Sequence, residues 1–387
     1  MLETRSLARS STDRTTAIQN AAKDPASTRG VTANWVQSVN DWYPGSSTVP
    51  DIDDGEEAGS ADVILRAKAL GFLAATLEAL PKGVLNGTQV QLLVHFFSVM
   101  FDADHKAGIL AATKALRYLI SMNAFKPQLA DTVVGNIVKM GDDFRLQPPS
   151  TRFEVYELLH GLIQDPITRG ELQHIHGSAS GFVLDLLKMC QHERDPKNLL
   201  EWFAILKSLL RHYSMSHEVL QEVFKSFSSY FPISIRSSAT PAAITTEQLK
   251  LAVRECFAAD YRLADLSFPF LIQKLDQGDS VTVGVKLDIL STIKACVEQY
   301  SHAQKGIVPF VDKIWNSLKY EVRNGEIQAT IQATLDVMSA ISRKFAKLPH
   351  QDTQFEELQG FVNVVLGDCI DDFANPTYTK NAGQLAN

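Results

Sequence analysis

Gly177-Ser178-Ala179-Ser180-Gly181 has the outline of a nucleophile elbow, the G-x-S-x-G turn that lifts a serine hydroxyl clear of its backbone. The central residue is alanine, so the segment reads as a loop between helices. Cys190 and His192 offer a thiol and a base. A reactive thiolate also needs an electropositive setting and a third group that orients the base, and the surrounding sequence supplies neither. Cys190 therefore reads as a buried thiol, as do Cys256 and Cys296, which fall on apolar helix faces. His174 with His176, read in a loop, and His212 with His217, flanking another, lack the i, i+4 spacing or the nearby CxxC that would make metal ligands of them. Asp51, Asp53, Asp54, Glu56 and Glu57 have the oxygens calcium prefers, but Gly55 stands at the fifth position, where the EF-hand loop requires a ligand. No GxxxxGK[ST] phosphate loop and no GxGxxG turn occurs. The expectation is a protein without catalytic, cofactor-binding or metal-binding residues, and no enzyme.

Composition narrows the partners. The 387 residues are 45% hydrophobic and 21% charged, with a formal net charge of −7, which argues against a generally cationic nucleic-acid binder. Residues 1–61 hold five basic and nine acidic side chains, so the rest of the chain is close to neutral. The stretch PGSSTVPDIDDGEEAGS at 44–60 cannot bury enough apolar surface to offset chain entropy, and 1–61 reads as a disordered acidic leader. Trp35, Trp42 and Tyr43 could anchor one short helix within it. Four cysteines 66, 40 and 73 residues apart fit neither a dense disulfide framework nor a zinc knuckle, and read as reduced thiols. The greasiest run, Val90 to Phe101, contains Gln91, His95 and Ser98 and is too short to span a bilayer. Lys114 with Arg117 and Lys207 with Arg211 share helix faces and could line a groove for an acidic partner, although solvated surface is the plainer reading.

The elements that carry these residues are helices in series. An apolar triplet at i, i+3, i+4 begins at Leu116, Leu159, Leu206, Val253 and Val337, with weaker copies at Leu73 and Leu290. In chain order the steps are 43, 43, 47, 47, 37 and 47 residues, the period of HEAT or armadillo helix pairs. Second helices are expected over Thr88–Phe101, Gln128–Met140, Gly181–Cys190, His217–Tyr230, Phe268–Leu275, Val308–Val322 and Phe355–Phe373. Thr88 with Gln91, Thr151 with Glu154 and Thr245 with Gln248 have capping-box spacing. Asp195-Pro196 supplies a cap and then a proline at the first helical position, while Pro269 and Pro309 are expected near helix starts. The fold class is all-α: a HEAT/armadillo-type α-solenoid of about seven helix pairs over 62–375, behind the leader and before a polar tail at 376–387. No polar capping unit is evident after Phe373, so the chain reads as the first part of a longer array, or as one whose tail covers the end.

Tyr230-Phe231-Pro232-Ile233, FPFLIQKLD at 268–276, VKLDILSTIKAC at 285–296 and IWNSLKYEV at 314–322, in this order, resemble the N-terminal region of the MMS-nineteen family. LGFLAATLEALPKGVLNGTQVQLLVHFFSVMFD at 70–102 is similar to that family's first repeats, especially those of fungal members. The resemblance covers most of 62–345 and implies a HEAT-repeat protein of DNA repair and transcription, an adaptor of cytosolic iron-sulfur protein assembly found in cytoplasm and nucleus. Its implied partners are apo iron-sulfur helicases and polymerases, and the assembly proteins themselves through C-terminal repeats beyond this chain. Neither direct nucleic-acid binding nor a membrane is implied. Tyr230, Phe231, Pro232, Lys286 and Asp288 match the family pattern and are given structural roles. A karyopherin-like or phosphatase-scaffold HEAT protein is the alternative.

Overall fold

The computed structural model describes residues 56–102, 106–233, 244–277, 280–324, 327–348 and 356–374. Asp51, Asp53, Asp54, most of the leader and the polar tail lie outside them. Among the described residues there are helices and turns and no strand. Each expected first helix is present: α1 (Glu56–Ala79), α3 (Lys106–Ile120), α5 (Pro149–Gln164), α8 (Pro196–His212), α10 (Thr246–Phe257), α12 (Val283–Gln299) and α15 (Gln328–Phe345). The triplets are their inner faces, with Leu116, Leu159, Leu206, Val253 and Val337 all buried. The second helices are α2 (Gly87–Ser98), α4 (Leu129–Val138), α7 (Gly181–Cys190), α9 (His217–Ser228), α11 (Ala264–Leu275), α14 (Val311–Asn324) and α16 (Glu356–Ala374). The all-α solenoid class is borne out, with seven helix pairs among the described residues.

The chain forms two compact units, the first running to Ile205 with Tyr213–Ser216, the second comprising Leu206–His212 and the residues from His217 onward. In the first, α1 packs on α3 and α3 on α5, while α2 packs on α4 and α4 on α7. In the second, α10 packs on α12 and α12 on α15, while α11 packs on α14 and α14 on α16. First helices thus stack on first helices and second on second, so each pair buries its apolar stripes only through its neighbours.

Four local readings need correction. The box at the start of α2 is Asn86 with Gln89: the Gln89 N–H donates to Asn86 Oδ1 at 2.9 Å and the Asn86 N–H to Gln89 Oε1 at 3.0 Å, while Thr88 lies inside the helix. Thr151 does not cap α5, which starts two residues earlier at Pro149, a residue whose missing N–H costs nothing there. Pro269 sits inside α11, because the helix begins at Ala264. It is tolerated because Asp265, whose carbonyl loses its partner, is exposed to water. Finally, α1 starts at Glu56, within the stretch read as leader. The proline-rich composition has ended by that point, and no further proline occurs before Pro81.

Other readings hold. Thr245 and Gln248 form their reciprocal box at 3.2 and 2.8 Å. Asp195 Oδ1 accepts from the N–H groups of Lys197 and Asn198 at the start of α8. Pro309 lies in the short 3-10 turn Val308–Phe310 that leads into α14.

Two described helices have no counterpart in the repeat pattern, and one of them is the single turn α13 (Ala303–Gly306) between α12 and α14. The other, Pro166–His176, α6, is inserted between α5 and α7 and packs on α5 and α4. The Asp165 side chain caps it, accepting from Ile167 and Thr168 N–H at 3.1 and 2.9 Å. Leu172 and Thr168 are its buried residues.

Candidate functional site

The five family-pattern residues occupy two places in the second unit. Phe231 follows α9, and a cis peptide joins it to Pro232. Its buried ring meets Phe257 edge-on at 5.3 Å and Phe270 at 6.3 Å, in an aromatic cluster with Phe224 and Phe227 that ties α9, α10 and α11 together. Tyr230 and Pro232 are half-buried beside it. Lys286 and Asp288 both lie on α12, and each is half of an ion pair. Lys286 Nζ reaches the buried Glu321 of α14 at 3.0 Å, and Asp288 accepts from Arg254 of α10 at 2.8 Å. Phe231, Lys286 and Asp288 thus hold helix to helix.

Those two pairs belong to a wider set. In the first unit, Arg117 of α3 bonds Glu154 and, at 2.9 Å, Glu157 of α5. His160 of α5 meets Glu201 of α8 at 2.9 Å. In the second, Lys207 of α8 bonds Glu255 of α10 at 2.8 Å, and Lys294 of α12 bonds Asp336 of α15 at 3.0 Å. Lys319 and Arg323 of α14 bond Asp368 and Asp372 of α16. The partners stand 34 to 49 residues apart, about one repeat. Two carboxylates meet within the set: Glu157 hydrogen-bonds Glu201, and burial together with that neighbour raises the Glu157 pKa above the usual carboxylate range. His160 holds Glu201 below that range.

This answers the question posed by the basic pairs. Arg117 and Lys207 are committed to carboxylates of the next first helix, and Arg211 donates to Gln299 at 3.4 Å. They lace the array together. Lys114 borders a surface groove of about 290 Å³ between α1 and α3, walled by Ala67, Gly71 and Ala111. Tyr118 and Glu78 line it too, and burial and a hydrogen bond to Glu78 push the Tyr118 pKa up to about 12.

A heavily bonded polar group of the first unit is Glu193, which sequence reasoning passed over. It lies in the turn between α7 and α8 and is buried. Arg152 of α5 approaches it in parallel, Nε to Oε2 and Nη2 to Oε1, both at 2.8 Å. Tyr156 Oη donates at 3.2 Å, and the N–H groups of Arg194 and Asp195 at 2.9 and 3.0 Å. Burial alone would raise its pKa, but the guanidinium and these N–H groups outweigh it and hold the carboxyl below the usual range. A cavity of about 180 Å³ opens beside it, lined also by Phe144, Cys190 and His192. The signal in the sequence was an opposite-charge pair one repeat apart, Arg152 and Glu193.

The remaining candidates fall into structural places. Cys190 ends α7 fully buried, and burial pushes its thiol far above the ordinary value. Cys256 and Cys296 are buried as well, the latter pushed up to about 12. His174 and His176, read as a loop pair, lie on α6: His174 is exposed, while His176 bonds Asp131 at 2.7 Å and packs on Phe182. His212 ends α8 and His217 opens α9, so they flank a turn as expected. The Gly177–Gly181 stretch is the turn from α6 to α7. Gly177 and Ser180 take left-handed φ values of 57° and 43°, and the Ser180 hydroxyl donates to the Gly177 carbonyl at 3.0 Å. Among the described residues no group of three metal-ligating side chains converges, and no helix is long and apolar enough to cross a membrane.

Comparison with known proteins reaches most of the chain. The family model described as "Dos2-interacting transcription regulator of RNA-Pol-II", MMS19_N, matches residues 55–324. The MMS19 nucleotide excision repair protein homolog of Homo sapiens is 28% identical over 319 residues, 80% of this chain and 29% of that protein. The homolog of Danio rerio is 26% identical over 318 residues, again 80% of this chain and 29% of the relative. The DNA repair/transcription protein mms19 of Schizosaccharomyces pombe is 26% identical over 339 residues, 86% of this chain and 31% of the relative. The chain spans under a third of the length of these relatives. The match begins one residue before α1 and ends with α14, taking in the eight ion-pair partners of α10, α12 and α14 named above from Arg254 to Arg323. On that coverage, the chain belongs to the MMS19 family, as an N-terminal region of it.

Proposed function

We propose that this chain is a non-enzymatic scaffold that holds apo iron-sulfur proteins of DNA repair, replication and transcription while their clusters are inserted. The observation that carries the reading is the family match over 55–324 laid on helix pairs that repeat in series along the chain. The chain's own thiols also suit a holder better than a cluster carrier. Cys190, Cys256 and Cys296 are spread over three first or second helices and sealed in the core, where burial keeps them as thiols. Clients would be held by helix surfaces between the ion-paired contacts. Repair and transcription are the roles in the names of the relatives, and this chain takes them up through its clients.

The test is retention of a purified apo iron-sulfur helicase, and separately of an apo iron-sulfur polymerase, on the immobilised chain. Retention of either supports the reading. Loss of both, under conditions where a full-length relative retains them, removes this region from client holding.

A further inference from the structure

The seam between α1 and α3 differs from the first-helix seams that follow it. Each of those is crossed by an ion pair, from Arg117 with Glu154 to Lys294 with Asp336, and among the described residues none crosses here. The lining is short instead: Ala67, Gly71 and Ala75 of α1, with Leu110 and Ala111 of α3, leave the groove of about 290 Å³. A side chain added at Gly71 would enter open space, with no described atom within 4 Å of its Cβ. Lys114 borders the groove, exposed, and no carboxylate is bonded to it among the described residues.

The same chain holds a segment that suits this groove, outside the described residues. Trp35, Val36, Val39, Trp42 and Tyr43 are spaced i, i+1, i+4, i+7 and i+8, the apolar face of a short helix. Nine residues of helix run about 13 Å. The lining runs about 12 Å on α3, from Leu110 to Tyr118, and about 16 Å on α1, from Ala67 to Glu78. Large rings fill the space that alanine and glycine leave, and each aromatic side chain buries about 150–250 Å². The tether favours the same occupant. Residues 44–55 join the segment to α1 at Glu56. As a coil, a link of that length spans about 19 Å on average and about 40 Å at full stretch. The lining begins at Ala67, about 16 Å along α1. Such a tether supplies an effective concentration in the millimolar range, so a contact of modest intrinsic affinity is made. Charge agrees as well: Asp41 lies between Val39 and Trp42, and Asp51, Asp53 and Asp54 follow, against the unpaired Lys114.

We propose that residues 35–43 dock as a helix in the groove between α1 and α3, with Trp35 and Trp42 filling the space beside Gly71. The test is fluorine NMR on the full chain labelled with 5-fluorotryptophan, with Trp35→Phe and Trp42→Phe identifying two of the four resonances. The other two belong to Trp202 and Trp315, both buried, and report an intact fold. The proposal expects the Trp35 and Trp42 resonances to stand apart from those of a free peptide of residues 30–47. Gly71→Leu, which fills the groove, should return both to the peptide positions and leave Trp202 and Trp315 unmoved. The same peptide, added in solution, should bind a chain carrying Trp35→Ser with Trp42→Ser at least tenfold more tightly than the wild type, whose own segment competes. Adding Lys114→Glu to that chain should weaken the binding. Wild-type resonances that coincide with those of the free peptide overturn the proposal and leave the groove to a different polypeptide. Resonances displaced in the wild type but unmoved by Gly71→Leu place the segment elsewhere and overturn it equally.

Discussion

Arg152 and Glu193, 41 residues apart in the chain, meet through two parallel hydrogen bonds of 2.8 Å, with the carboxylate almost wholly removed from water. A planar guanidinium fork matches a carboxylate in this way, and burial makes the pair expensive to break from one side. The pair joins α5 to the turn before α8, so the third and fourth helix pairs share it.

Glu193→Ala should therefore destabilise the first unit by about 3–5 kcal/mol, the usual cost of leaving one charge of a buried pair alone. Urea unfolding followed by circular dichroism checks this, and a loss below about 1 kcal/mol would contradict it. The pH dependence has a definite sign. Because the folded carboxyl titrates below its ordinary value, its stabilisation is present at and above the unfolded value of about 4.3 and is lost as pH falls through the lower folded value. Glu193→Gln should remove that part of the acid limb.

Lys207→Ala should behave differently. Its bond to Glu255 is made by side chains 29 and 38% exposed, where solvent screens the charge. A change of about 1 kcal/mol or less is expected, measured by the same denaturant titration and shrinking in high salt.

Glu157→Gln should raise the unfolding midpoint at neutral pH. The Glu157 carboxyl is held above its ordinary range by burial and by Glu201, so its charged form penalises the folded state. The difference between variant and wild type should shrink as pH falls through the raised value towards the ordinary one. Thermal melts at several pH values test it, and a variant less stable at every pH would contradict the assignment.

Thiol labelling should proceed in two phases. Cys369 is half-buried and should react first with a disulfide reagent. Cys190, Cys256 and Cys296, buried and kept protonated, should react only at the rate of unfolding. Four equally fast thiols in the native protein would contradict the core placement.

The repeat was legible because it is written in burial. The triplets beginning at Leu116, Leu159, Leu206, Val253 and Val337 are apolar since each first helix must bury one stripe, and a stripe repeated every 40-odd residues shows in one sequence. Helix α6 was not legible that way. It buries only Thr168 and Leu172, too few to make a periodic signal, although Asp165-Pro166 repeats the cap signature of Asp195-Pro196. The ion pairs were harder still. Lys286 and Asp288 stood out only through a family resemblance, and their partners Glu321 and Arg254 lie 35 and 34 residues away, where no local pattern links them. Opposite charges one period apart do mark Arg152 with Glu193, at 41. Cap registers slipped for the opposite reason. Thr88 and Thr151 had the right spacing, but Asn86 and Pro149 supplied better starts upstream.

The most direct test of the scaffold reading compares the affinity of the chain for one iron-sulfur helicase in its apo and cluster-loaded forms, by biolayer interferometry on the immobilised chain. A holder that releases its client after cluster insertion predicts binding to the apo form and at least tenfold weaker binding to the loaded one. Equal affinity for both forms, or none for either, would contradict it.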